Sequence, residues 1–361
     1  KINVAATTMA VNTDRSTLFR VADGASYTGS SAGGALNVTV SGQDARGVVA
    51  TGLGTTLSTG ASTYTVTGAT GTGGGAVAIS TEGGATGTID AGTTINLNAP
   101  GSIAGVVNGQ QRDLTGAVVG NVLTTTLTNN AAIQSSTANT TGFVASNGGV
   151  LSNTNTVALN GARSTGVIVG PQGTVRNSGT ITVANGNGAL VQGAAASLIN
   201  DGTIQANDGM AAVHLTGTGA SVAFAGTGLI TAGGTANGIL IDSTAIGGSV
   251  TGTAGRIVTN GSGAALNNQA AGASIDLTNT TVTANGTGAA GIGSFGVNGD
   301  IDVRGGAVTA NGTNGIGIYV GGRGTLNTTN TAIATTGAGS RGSGTRRRRW
   351  STAVRSAMIA A

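Results

Sequence analysis

From Gly142 onward the chain repeats one phrase: three short apolar pieces, each set off by Gly or Asn. Within a piece, apolar and polar positions alternate. In Gly179-Thr180-Ile181-Thr182-Val183, Ile181 and Val183 share one face and the threonines the other. In Asp300-Ile301-Asp302-Val303-Arg304 the same parity turns the charges outward. A period of two is that of a half-buried strand. Written phrase over phrase, one apolar column runs Val157, Ile181, Ile204, Ile230, Ile257, Val282, Val308, Ile333, at spacings of 23–27 residues. A second column runs Gly142, Gly166, Gly188, Gly238, Gly263, Gly288, Gly315. Earlier phrases, opening at Gly47, Gly75 and Gly105, are looser.

A period near 25 fits three strands of about five residues with their turns. One such coil cannot bury its inward residues, but stacked coils bury them in columns and pair every strand with the next. The pattern therefore predicts an all-β fold, a right-handed parallel β-helix. It would have about eleven coils, a rod on the order of 50 Å long at strand spacing. Asn-Gly pairs recur after apolar pieces (Asn185-Gly186, Asn285-Gly286, Asn311-Gly312), where a turn would need positive φ. A helical reading fails, because Gly at this density opposes helices and no 3.6-residue periodicity is present. A propeller would need longer repeats with aromatic signatures.

The period sets three regions: 1–45 as an N-terminal cap or irregular first coil, 46–336 as the β-helix, and 337–361 as a non-repetitive basic tail. The tail holds the only Trp, Trp350, and the run Arg346–Arg349. It is expected to be disordered, to bind polyanions, or to arise from a shifted reading frame.

Composition agrees with thin, regular layers. The chain has 68 Gly, 2 Pro, 8% charged and 2% aromatic residues, yet 39% hydrophobic ones. That is unlike a disordered chain, which is polar and highly charged. With no Cys, disulfides, thiol nucleophiles and Cys-ligated metals are excluded. The net charge of +4 is misleading, because six arginines lie in 341–361 without an acid. Without them ten basic side chains face twelve acidic ones, so the body has no electrostatic footprint for nucleic acid. No apolar run reaches the roughly 20 residues of a membrane helix.

Ala45-Arg46-Gly47-Val48-Val49-Ala50, NSGTITVANGNGALVQG and SLINDGTIQANDG resemble passenger domains of pertactin-like bacterial autotransporters, a likeness of repeat style over roughly 45–336. The resemblance implies a right-handed β-helix exported across the outer membrane and displayed at the cell surface or secreted. Its partner would be a host-cell surface protein or glycan. The outer-membrane translocator barrel expected for such a family is absent from this sequence, as is a signal peptide. The chain is thus expected to be a passenger alone or a truncated product. It carries no Arg-Gly-Asp motif.

Candidate chemistry is sparse. His214, the only histidine, alternates with apolar neighbours and is expected to point outward into solvent. The strongest charged cluster is Asp300, Asp302 and Arg304, placed on one outer face by parity and near Asp276 by stacking. It reads as a solvated charged face or as a sugar or Ca²⁺ site. Asn207-Asp208 is a weaker candidate. Gly71-Thr72-Gly73-Gly74-Gly75 lacks the Lys-Ser/Thr and the helix of a phosphate loop. The expected function is an adhesin-like passenger that is not an enzyme, takes no cofactor and is a monomer. The alternatives are a carbohydrate-active β-helix enzyme and a non-functional fragment.

Overall fold

Parity decides the interior. Side chains at alternate strand positions all point inward, and branched aliphatics fill those positions from three directions. In the computed structural model, which describes residues 2–4, 8–29, 35–68, 75–113 and 117–345, short strands recur in a fixed threefold order. Each pairs in parallel with its counterpart one turn later, forming three sheets, here A, B and C. The fold is all-β, a parallel β-helix of about twelve turns, without a helix among the described residues.

Two compact units divide between Thr182 and Val183. In the first, sheet A runs from Ile2–Val4 to Thr174–Asn177, while sheets B and C begin at Thr8–Val11 and Thr17–Ala22. In the second, sheet A runs from Ser197–Asn200 to Thr325–Thr329, sheet B from Thr203–Ala206 to Ala332–Thr335, and sheet C from Gly186–Gln192 to Arg341–Thr345. Residues 8–29 and 35–45 thus already contribute strands to the sheets. Arg341–Thr345 pairs with Ile316–Val320. The rest of the basic tail, with Arg346–Arg349 and Trp350, lies outside the described residues, as do residues 71–74 of the glycine run.

The apolar column stands in sheet B as the spacing predicts. Ile204, Ile230, Ile257, Val282, Val308 and Ile333 are successive register partners in the second unit, and Ile133 pairs with Val157 in the first. All but Ile333 are fully buried.

Two expectations about glycine need correction. The column Gly238, Gly263, Gly288, Gly315 is not one column. In the second unit Gly238, Gly291 and Gly317 share the second position of sheet C strands, and Ala212 and Ala265 stand at the same level. A Cβ at Gly291 would lie 2.6 Å from the Gly317 carbonyl oxygen and 2.7 Å from Val308 Cγ1. The position admits only the smallest side chains, because the aliphatic column of sheet B presses on it. The Asn-Gly pairs also differ from expectation. Gly186 has positive φ, but at Asn285-Gly286 and Asn311-Gly312 the positive φ falls two residues later, at Gly288 and Asn314. Gly286 and Gly312 serve close approach instead. A Cβ on Gly286 would sit 1.8 Å from the Gly261 carbonyl oxygen, and one on Gly312 1.9 Å from that of Gly286. The asparagines before them stack: Asn285 Nδ2 donates to Asn260 Oδ1 and Asn311 Nδ2 to Asn285 Oδ1, both at 2.8 Å.

Inside the first unit a second amide ladder is buried. Asn129 Nδ2 donates to Asn153 Oδ1, and Asn153 Nδ2 to Asn177 Oδ1, each at 2.8 Å. Each amide also meets backbone near its own turn, as Asn129 does at the Ala131 carbonyl oxygen. These ladders satisfy polar groups that burial would otherwise penalise.

Candidate functional site

The outer face of sheet A in the second unit gathers the charges that parity predicted. Strands Ser274–Thr278, Asp300–Arg304 and Thr325–Thr329 lie side by side in exact register. Ile275, Ile301, Leu277 and Val303 point inward and are buried. Their partners at alternate positions form outward rows: Ser274, Asp300, Thr325, then Asp276, Asp302, Asn327, then Thr278, Arg304, Thr329.

Stacking places Asp276 directly against Asp302, and like charges opposed across strands repel. Arg304 relieves this. Its Nη1 reaches Asp276 Oδ1 at 3.1 Å and Oδ2 at 3.4 Å, and its Nη2 donates to Asp302 Oδ2. Asp300 stands apart and accepts from Thr325 Oγ1 at 2.6 Å. All three predicted residues therefore share one surface, joined by Asp276, but Arg304 bonds Asp302 and Asp276, not Asp300. Asp276, Asp300 and Asp302, without Arg304, line a shallow depression of about 260 Å³ with Ser274, Thr325 and Asn327. The Arg304 side chain is half exposed, so water screens these ion pairs and each contributes at most about 1 kcal/mol. The arrangement can offer a hydrogen-bonding surface with one carboxylate, Asp300, free of an ion pair.

His214 departs from its expected place. It does point outward, since Val213 and Leu215 on either side are buried inward. Yet it is only 7% exposed, because register places it between Leu190 and Leu240. Neighbouring apolar side chains, which single-strand parity does not foresee, shield it from solvent. Neither ring nitrogen has a hydrogen-bond partner, and Nε2 lies 3.8 Å from Asp242 Oδ2, too far for one. Burial pushes the imidazole below its ordinary value, and the Asp242 carboxylate opposes that shift.

Asp208 is consumed by its own turns. Its Oδ1 accepts from the Gly209 N–H, the Thr235 N–H and the Thr235 hydroxyl. The Gly209 N–H leads in holding its carboxyl below the usual range. This carboxylate ties its own turn to the next through Oδ1.

Sequence reasoning missed a buried charge in the first unit. Glu82 closes strand Val77–Glu82 and is 2% exposed. Its Oε1 receives Arg46 Nη1 and the Ser80 hydroxyl, while Oε2 has no partner. Parity alone would have put Glu82 on the surface. Gln111, in the insertion between strands Ile103–Asn108 and Thr125–Asn129, packs against the adjacent Gly83. Among the described residues no group of three or more His, Asp or Glu is disposed to hold a metal.

No protein-family model matches the chain, and no curated protein matches it. One solved structure is similar, the TibC-catalyzed hyper-glycosylated TibA55-350 fragment. It is 16% identical, the match covers 93% of this chain and 100% of that one, and the TM-score is 0.38.

Proposed function

We propose that this chain is an exported, adhesin-like passenger domain whose β-helix presents binding surface at a bacterial cell surface or after secretion. One observation carries the reading: from Ser249–Thr253 to Thr325–Thr329 the outward rows of sheet A are polar and in register. Ser221, Ser249, Ser274, Asp300 and Thr325 form one such row. At a strand spacing of about 4.8 Å, such rows make a regular lattice of hydroxyl, amide and carboxylate groups on a stiff support. A lattice of that kind suits multivalent contact with a glycan or protein of a host cell. The resemblance in repeat style to pertactin-like passengers supports the same reading. Export would then run through an outer-membrane translocator barrel, and the domain would act as a monomer without cofactor or nucleic acid. Catalysis is disfavoured, because Arg304 ties Asp276 and Asp302 into one ion-paired group and leaves no carboxylate with a separate base opposite it.

The test has two parts. Antibodies raised against the purified chain are applied to intact source bacteria, and the labelled chain is titrated onto cultured epithelial cells. Surface staining with saturable cell binding is expected. Retention of the chain inside the cell, or binding no greater than that of an unrelated protein, would sink the proposal.

A further inference from the structure

Aromatic side chains are scarce here, and all but two of those described are placed for packing. Tyr27, Tyr64, Phe143 and Phe224 are buried, and Phe19 leans on Tyr27 with ring centroids 5.5 Å apart. Phe295 is different: it is 54% exposed, just after strand Ala290–Ser294 of sheet C. Its ring folds back over Gly293, where a Cβ would lie 2.9 Å from Phe295 Cε2. Gly293 is the register partner of Tyr319, so the missing side chain leaves a gap that the Phe295 ring fills. The two rings meet at a centroid distance of 4.9 Å and an interplanar angle of 30°. The result is a tilted, overlapping ring pair on the outside of the sheet, in which the Phe295 ring is the more exposed.

A cation stands on the next turn. Asn298 N–H donates to the Gly322 carbonyl oxygen at 2.9 Å, so the turn following Phe295 stacks on the turn that carries Arg323. Arg323 is exposed, and among the described residues no carboxylate lies within ion-pair reach of it. Asp300, on the neighbouring turn, accepts from Thr325 Oγ1. The Arg323 backbone is left-handed, with φ of 65°.

We infer that Phe295, Tyr319 and Arg323 form a binding site for an anionic saccharide, a reading that rests on the proposed adhesin function and locates its contact. The apolar face of a sugar ring stacks on the exposed Phe295 ring, which Tyr319 backs and holds in place, and an exposed aromatic offers large rigid area at low entropic cost. The saccharide's carboxylate or sulfate pairs with Arg323, whose planar fork matches either oxyanion.

The test uses the full chain and three probes in calorimetric titrations: hyaluronan hexasaccharide, heparin hexasaccharide and neutral maltohexaose. Binding of at least one anionic probe, at least tenfold tighter than maltohexaose, is expected. Binding only to heparin would assign the contact to sulfate, and binding to hyaluronan would assign it to carboxylate. Phe295→Ala and Arg323→Gln should each weaken that binding at least tenfold, with the thermal melt showing that both variants stay folded. Anionic binding that survives both substitutions arises elsewhere, as at the arginine run Arg346–Arg349; that outcome overturns the site but leaves the adhesin reading standing. Equal binding of maltohexaose also overturns it. If no probe binds while the intact chain still binds epithelial cells, the site is wrong and the adhesin function survives; if neither is seen, both fail.

Discussion

At the scale of the residue, His214 is the most informative side chain. Its ring is buried between two leucines with both nitrogens unpartnered. Burying such groups without hydrogen bonds is costly. His214→Leu should therefore raise stability by about 1–2 kcal/mol. It should also flatten the pH profile. Burial lowers the folded-state value of His214 below 6.5. As pH falls below 6.5 the unfolded chain takes up a proton that the native ring resists, so stability is lost on acidification. Asp242, held low chiefly by the Thr244 N–H, loses its contribution only below the ordinary carboxylate range. Thermal melts at pH 7 and pH 5 should show a drop in Tm for the parent that is smaller in His214→Leu. An equal drop in both would show that the histidine is not the acid-sensitive group.

At the scale of the element, strand parity tells inside from outside but not what covers the outside. Asp300, Asp302 and Arg304 were legible because their strand has no cover, and register with Asp276 followed from the period. Glu82 was not, since its burial comes from neighbouring strands and turns that the repeat does not encode. The insertion at 109–124, with short strands Gln111–Arg112 and Val118–Val119, accounts for the longest of the loose early turns, in which Gly105 and its register partner Phe143 are 38 residues apart. The ion pair between Arg46 and Glu82 supplies a test. Arg46→Met leaves a buried carboxylate without its cation and should cost about 3 kcal/mol. Adding Glu82→Leu should restore most of that loss, because an apolar pair of similar volume needs no charge compensation. A double variant no more stable than the single one would show that Glu82 is solvated and the pair is not coupled. The measurement is a urea denaturation series on the three proteins.

At the scale of the whole molecule, each unit is a stack in which every turn depends on its neighbours, so protection should follow position. In the second unit Leu326 and Ile333 of the last described turn are only partly buried, whereas Ile230 and Ile257 are sealed on both sides. Amides in Thr325–Thr329 and Ala332–Thr335 should exchange faster than those in Arg256–Thr259, as read by hydrogen exchange with mass spectrometry. Uniform protection would mean that the unit opens only as a whole. The sequence by itself determined the fold class, the sheet B column and the polarity of each strand face, because a period of two within strands and about 25 between them leaves few other ways to bury small aliphatics. Only the tertiary structure decided which glycines need left-handed backbone and which need room, that His214 is shielded, and that Phe295 crosses the gap at Gly293 to meet Tyr319. Those outcomes depend on contacts between turns about 25 residues apart in sequence, where a shift of two positions exchanges one role for another.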